Sequence, residues 1–238
     1  MRAPSTLSRE QFEKACKSFI SDSGVGLEYL PQGWAWTEHP RYAGLGFMQR
    51  ITTIRSRVSC DSQIDTEIED ELEDIYDPAV FLSGQLSDAP IIKVYESVVL
   101  STTFKVPAFY FSAFREDGTP LDLGKIIGAG YLRGTVDGVD SSSNSVMLPS
   151  PNEEAATFPL LSQGDHPVLG TSSWYLHPCN MAHAMRPLLD DIVGDEWVED
   201  KPDRGLFRWL STWFMIINSA VNIVQLSEAT SSFNMVHC

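Results

Sequence analysis

The stretch that most constrains the fold is the β-rich run at residues 91–127. It reads IIKVYESVVLSTTFKVPAFYFSAFREDGTPLDLGKII, and its β-branched and aromatic residues predict two strands followed by an Asp-Gly turn. The second strand is expected to run from Phe104 to Ala113, with successive side chains on opposite faces of the sheet. Both faces are largely apolar. Such a strand belongs in the centre of a sheet, and Pro107 must lie where no ladder hydrogen bond is lost.

Helical patterns flank this β-rich centre. Residues 8–20 place apolar side chains at helical spacing, and Ser8 with Gln11 three residues later forms a capping-box signature. Cys16 lies on the apolar stripe and is expected to be a small core residue. A second helical pattern follows the strands, and a long final one covers roughly 204–226. The order of helix, strands and helices predicts an α+β fold with an antiparallel sheet.

The formal net charge of −15 limits the partners of the chain. Nucleic acids and anionic membranes are themselves negative, so the charge argues against both and favours basic protein surfaces. The most apolar stretch, residues 206–224, contains Arg208 and two asparagines, which predicts a buried helix and no stable membrane insertion. The N-terminus lacks a secretory pattern, and a cytoplasmic location with free thiols is therefore expected.

A single domain is expected over residues 1–238, with two polar excursions. Residues 61–78 carry nine carboxylates and no basic residue, which predicts a solvated excursion. The alternative is that this strip docks on a basic surface of a partner. Residues 133–157 contain little apolar content, and we expect a surface loop there.

The segment WYLHPCNMAHAM, residues 174–185, places a cysteine directly after a proline, where a strand pattern gives way to a helical one. Pro178 lacks an amide donor and keeps His177 extended. Asn180 is suited to cap the helix that follows. Cys179 is therefore expected at the junction of strand and helix, where both an exposed nucleophile and an inert thiol are open interpretations.

Two further chemistries remain open for this cysteine. A metal site would draw its ligands from His177, Cys179 and His183, with Asp165 or His166 as a fourth. Structural zinc usually has two close pairs of ligands, which this set lacks. A cysteine hydrolase would instead pair Cys179 with a histidine base, His166 or His183. A glycine-rich oxyanion loop around the cysteine is absent from the sequence.

Two stretches together resemble a known family. GDHPVLGTSSWYLHPCN, residues 164–180, is similar to the signature of the autophagocytosis-associated family of ubiquitin-like-conjugating enzymes. VVLSTTFKVPAFYFSAFREDGTPLDL, residues 98–123, resembles the members that conjugate a modifier to a protein, and the RWLSTWFMIINS helix fits as well. The His-Pro-Cys triplet alone is a weak signal, but with HPVLG and KVPAFYF it is specific.

The resemblance implies a ubiquitin-conjugating-like fold with an N-terminal helix, an antiparallel sheet and C-terminal helices. It also implies a transferase that needs no metal and no organic cofactor. Cys179 would accept a ubiquitin-like modifier, autophagy-related protein 12, as a thioester from an activating enzyme, autophagy-related protein 7. It would then pass the modifier to a lysine of the acceptor, autophagy-related protein 5.

Two supporting residues follow from the same resemblance. His177, in the His-Pro-Cys triplet, matches the family's substitute for the asparagine that ordinary ubiquitin-conjugating enzymes place before their cysteine. Phe104 matches a position that is usually tyrosine in the family, and phenylalanine has no hydroxyl to donate.

Two alternatives share the fold. One is an inactive binding module, in which Cys179 would be buried or unreactive. The other is a lipid-conjugating sibling of the family, which typically carries a longer chain and a membrane-touching first helix. The first helix here has an ordinary charged surface, which favours transfer to a protein.

Overall fold

The computed structural model of the protein describes residues 3–22, 30–42, 44–55, 90–133, 145–147, 160–192 and 202–223. Its helices are α1 (Arg9–Asp22), α2 (Leu123–Gly128), α3 (Met181–Ile192) and α4 (Pro202–Ala220). Its strands are β1 (Ala35–Thr37), β2 (Phe47–Arg55), β3 (Ile91–Leu100), β4 (Pro107–Arg115), β5 (Ser145–Met147), β6 (Leu160–Asp165) and β7 (Ser172–Leu176).

The acidic excursion predicted at 61–78 lies outside the described residues. Most of the surface loop predicted at 133–157 also lies outside them, but residues 145–147 pair with β6 as an edge strand. The expectation of a single domain over the whole chain stays a prediction.

Within the described ranges the strands form one antiparallel sheet in the order β1-β2-β3-β4-β7-β6-β5. The predicted α+β architecture with its central hairpin is confirmed. Strands β3 and β4 pair from Ile92 with Arg115 to Leu100 with Pro107, and β4 lies between β3 and β7. Pro107 is the first residue of its strand, a position where the missing amide donor is tolerated.

The predicted start of the second strand is wrong. Phe104 lies in the turn between β3 and β4 because the chain reverses over residues 101–106. The Ser101 carbonyl accepts a hydrogen bond from Lys105 N–H at 2.9 Å, and the Ser101 hydroxyl accepts one from Phe104 N–H at 3.3 Å. Lys105 adopts a left-handed φ of 56°, which takes the backbone out of the strand conformation.

Helices α1 and α4 pack together and bury one face of the sheet. The capping box predicted for α1 is formed in both directions: Ser8 N–H donates to Gln11 Oε1 at 2.8 Å, and Gln11 N–H donates to Ser8 Oγ at 3.2 Å. The largest buried side chains of this core come from both helices, from β4 and from the loop after α2: Phe12, Phe19, Phe109, Phe111, Tyr131, Trp209, Trp213 and Phe214. The predicted buried role of the final helix is confirmed, although it ends at Ala220.

A buried ion pair links strands β2 and β3 beneath these helices. Arg50 on β2 donates to Glu96 on β3, and both side chains are almost fully buried. Glu96 also accepts a hydrogen bond from Tyr131 Oη at 2.7 Å. Arg50 donates further to the Ile223 carbonyl at 3.2 Å. Each charge therefore has partners, as burial requires.

The opposite side of the sheet carries exposed side chains, among them Ile51 and its cross-strand partner Tyr95. We call this side, which also bears Phe114, the outer face. Among the described helices, none is both long and apolar enough to cross a bilayer.

Candidate active site

Cys179 lies three residues after the end of β7, where the chain leaves the sheet. The last residue of β7, Leu176, is buried and pairs with Phe109 of β4. His177 stays extended, residues Pro178–Asn180 form one 3-10 turn, and α3 begins at the next residue. The predicted junction of strand and helix is thus confirmed. Asn180 lies inside the 3-10 turn, and the residue that caps this turn is His177.

The cap of this turn is a single hydrogen bond. His177 Nδ1 accepts it from the Cys179 backbone N–H at 3.1 Å. A neutral imidazole that accepts through Nδ1 carries its proton on Nε2. The bond therefore assigns the tautomer of the neutral ring and makes Nε2 a hydrogen-bond donor.

Two aromatic rings lie next to the His177 imidazole. The Phe104 ring meets the imidazole edge to face, with centroids 5.5 Å apart, and the Tyr175 ring lies 6.1 Å away on the strand. Phe104 reaches this position because the β3–β4 turn folds next to the end of β7. That turn is itself anchored, since Leu7 N–H donates to the Lys105 carbonyl at 2.7 Å. The two supporting residues expected from the sequence are thus neighbours in space.

The two described cysteines have opposite environments. Cys179 is exposed. Cys16 is fully buried in α1, as predicted, and burial raises the pKa of its thiol well above the ordinary value. Of these two thiols, only that of Cys179 is open to a macromolecular substrate.

His166 does not approach the cysteine. It follows β6 and lies near the start of β7, whereas Cys179 follows the end, and five strand residues span roughly 17 Å. Its Nε2 is 3.0 Å from Ser97 Oγ. Burial lowers its pKa to about 4, so the ring is neutral at physiological pH. Among the described residues, no histidine nitrogen is hydrogen-bonded to the Cys179 thiol.

The residues of the metal alternative are also dispersed. Asp165 is the last residue of β6, and His183 is exposed on α3. Within the described part of the chain, no group of three or more histidine, cysteine, aspartate or glutamate side chains is arranged to hold a metal ion.

The sequence patterns miss two local features of the site. One is the cap by His177. It could have been predicted, because a side chain two residues before an amide can accept its hydrogen bond. The other is the left-handed Lys105, which follows Phe104 in the turn next to the imidazole. A lysine carries no signal for this conformation, since glycine and asparagine are the usual residues there.

Comparisons with known proteins agree on one family. Residues 11–227 match the family model described as autophagocytosis associated protein, active-site domain. The chain is 23% identical to the ubiquitin-like-conjugating enzyme ATG10 of Homo sapiens over 237 residues, which cover 94% of each protein. It is 25% identical to the ubiquitin-like-conjugating enzyme ATG10 of Dictyostelium discoideum over 129 residues, 53% of this chain and 49% of that protein.

Proposed function

The chain belongs to the autophagocytosis-associated protein family, and on this premise we propose that it carries a ubiquitin-like modifier as a thioester on Cys179. Its relatives are named as ubiquitin-like-conjugating enzymes, which supports a transferase of the autophagy conjugation pathway. We further propose that the modifier is autophagy-related protein 12, donated by autophagy-related protein 7 and passed to a lysine of autophagy-related protein 5. The reducing cytoplasm keeps the thiol free for this chemistry.

One observation carries the proposal: an exposed cysteine stands in a turn whose cap is the neighbouring histidine. Thioester exchange between two proteins requires a thiol that the donor cysteine can reach. A buried thiol such as Cys16 cannot take part. The exposure of Cys179 therefore supports the thioester and argues against the inactive binding module.

The reaction has two steps. In loading, the Cys179 thiolate attacks the thioester carbonyl on the activating enzyme. A new C–S bond forms, and the old one breaks with release of the activating enzyme's thiolate. In transfer, the lysine amine of the acceptor attacks the carbonyl held by Cys179. A C–N bond forms, the C–S bond breaks, and the ammonium proton passes to solvent or to a base of the acceptor.

His177 is proposed to act in the transfer step. Attack by the amine places negative charge on the carbonyl oxygen, and a preorganised donor stabilises that charge. The Nε2–H of His177 is such a donor, because Nδ1 already accepts from Cys179 N–H. Phe104 is proposed to be a positioning residue that holds the imidazole by its edge-to-face contact.

A loading assay tests the proposal directly. The protein is incubated with the activating enzyme, ATP and the modifier, and the products are separated on non-reducing gels with and without added thiol. We expect an adduct that thiol cleaves and that is lost in Cys179→Ala. The matched control is Cys16→Ala, which alters the other described thiol and should still load.

Two results would overturn it. A thiol-sensitive adduct that persists in Cys179→Ala places the nucleophile elsewhere. No adduct, together with failure of Cys179 to react with an alkylating reagent in the folded protein, indicates a binding module of the same fold. A cysteine hydrolase would instead release free modifier without accumulating conjugate when the acceptor is added.

A further inference from the structure

A cavity of about 400 Å³ opens on the outer face of the sheet, away from Cys179. Its lining includes Ser172 and Ser173, the first residues of β7, whereas Cys179 follows the last residue of that strand. A molecule in the cavity therefore lies at the other end of β7 from the thiol. The volume falls within the range of about 300–1,000 Å³ that is usual for ligand pockets.

The cavity exists because β4 and β7 diverge. The two strands pair only over residues Phe109–Phe111 of β4. Beyond that point β4 is bonded to its own turn, since Leu121 N–H donates to the Ala113 carbonyl at 2.9 Å. There the contact between β4 and β7 is made by side chains, and Ser112 Oγ lies 3.1 Å from Ser173 Oγ. The opening is thus built into the strand pairing.

One wall of the cavity is the loop after β6, and His166 fixes it. His166 Nδ1 accepts hydrogen bonds from Val168 N–H at 3.2 Å and from Leu169 N–H at 3.1 Å, while Nε2 meets Ser97 Oγ at 3.0 Å. These contacts hold the wall without help from a ligand. The Leu169 side chain lines the cavity and is nevertheless 53% exposed.

Two aromatic rings contribute to the apolar lining. Tyr95 and Phe114 meet edge to face with centroids 5.6 Å apart, and Tyr95 is 45% exposed. A third aromatic ring can add to such a pair in an offset or edge-to-face arrangement. Together with the leucine of the wall, the rings form an apolar anchor point in a concave setting.

Lys93 is a lining residue that forms no ion pair within the described residues. Arg115 also contributes to the lining, and its charge, after the hydrogen bonds from Thr119, helps to lower the pKa of the neighbouring Asp117 carboxyl. Glu116 is the single acidic residue among the lining side chains. The Lys93 ammonium is therefore complementary to a carboxylate and repels a cation.

We propose that this cavity anchors an extended acidic segment of a partner protein. An aromatic side chain of the segment packs on Tyr95 and Phe114, and a flanking carboxylate pairs with Lys93. The lysine lies directly opposite Phe114 in the β3–β4 register, so both contacts are available to neighbouring residues of one peptide. This inference does not rest on the chemistry of Cys179.

Fluorescence anisotropy with the full chain tests the proposal. The probe is a labelled peptide Glu-Glu-Phe-Glu-Glu, compared with one in which alanine replaces phenylalanine and one in which lysine replaces every glutamate. The cavity variants are Tyr95→Ala and Lys93→Glu. Their matched controls are Tyr42→Ala, a tyrosine exposed elsewhere, and Lys14→Glu on α1. Circular dichroism verifies that each variant is folded.

We expect saturable binding of the first peptide alone, weakened about tenfold or more by Tyr95→Ala. Lys93→Glu should weaken binding as well, and by less as salt is added, because the contact is exposed to solvent. The controls should bind like the parent protein. Absence of saturable binding up to about 1 mM peptide would overturn the proposal. Equal affinity in all four variants would overturn it too.

Loading of Cys179 is measured on the same samples. Both cavity variants should form the thioester at the parent rate, because the cavity is remote from the thiol. If the parent protein fails to load, the proposed function fails while the peptide result still decides the cavity proposal.

Discussion

His177 Nδ1 accepts a hydrogen bond from the backbone N–H of Cys179 at 3.1 Å. The bond spans only two residues, so it forms as soon as the chain makes the turn around Pro178. It settles two properties of the site at once, the orientation of the imidazole and the ring nitrogen that carries the proton in the neutral ring. The exposed thiol and the histidine donor are thereby held by the same turn.

Replacing the nucleophile by serine should trap the modifier. In Cys179→Ser the modifier is expected to be held as an oxyester, which amines attack far more slowly than a thioester. The adduct on a gel should become resistant to added thiol and should accumulate when acceptor is present. Normal conjugation by this variant would contradict a thioester on Cys179.

Removing the donor should slow transfer while loading continues. His177→Ala is expected to lower the rate of single-turnover discharge to the acceptor by about 10²-fold, the lower end of the loss seen when one oxyanion donor is removed. His177→Asn, which keeps an acceptor and a donor, should recover part of this loss. The control is His183→Ala, an exposed histidine on α3. Equal discharge rates in parent and His177→Ala would exclude the oxyanion role.

Removing the Phe104 ring should slow discharge only because its contact with the His177 imidazole is lost. An edge-to-face pair contributes about 0.5–1.5 kcal/mol, so Phe104→Ala is expected to slow discharge by about 2- to 12-fold. Phe104→Tyr preserves the ring and should stay close to the parent rate. In the His177→Ala background the effect of Phe104→Ala should vanish, because the double-mutant cycle then lacks the partner. Additive effects would mean that Phe104 acts independently of His177.

The buried Arg50–Glu96 ion pair should contribute strongly to the stability of the β2–β3 pairing. Glu96→Gln leaves the Arg50 charge buried without its counter-ion, and we expect a loss of about 3–5 kcal/mol in the free energy of unfolding. Urea unfolding followed by circular dichroism measures it. Glu10→Gln removes a solvent-exposed pair with Lys14 and should leave the free energy of unfolding almost unchanged. Similar losses in the two variants would contradict the role assigned to burial.

His166 should make stability depend on pH in the acidic range. Burial lowers its pKa to about 4 from an ordinary value of 6.5. Between these values the unfolded chain binds a proton that the folded chain does not, so the free energy of unfolding falls as the pH is lowered from about 6.5 to 4. The contribution is at most about 3–4 kcal/mol. The difference between parent and His166→Gln, measured in urea at several pH values, should shrink over this window, and a constant difference would refute it.

The helices and the central hairpin could be predicted because their signals are local. The Ser8 and Gln11 pair forms the reciprocal bonds that its spacing indicates, and the apolar faces of β4 do place it in the centre of the sheet. The alternation of β4 runs on through Phe104 without a break, however. Only the left-handed φ of Lys105 ends the strand, and no neighbouring residue type announces it.

The candidate site likewise contains features that the local sequence predicts and features that it does not. The position of Cys179 at the junction of strand and helix follows from a few adjacent residues, whereas its exposure is known only from the fold. The contact of Phe104 with His177 depends on the pairing of β4 with β7, which the local pattern does not contain. His166 is the extreme case, because it bonds to Ser97, 69 residues away, and only the assembled sheet brings them together.

The register between β2 and β3 is set by the paired residues themselves. Eight residue pairs, from Met48 with Val98 to Arg55 with Ile91, set the register, and the Arg50–Glu96 contact reinforces it. For a flexible connection, each doubling of its length costs only about 0.6 kcal/mol in closure entropy. An insertion between these two strands that preserves the eight pairs should therefore leave the sheet intact.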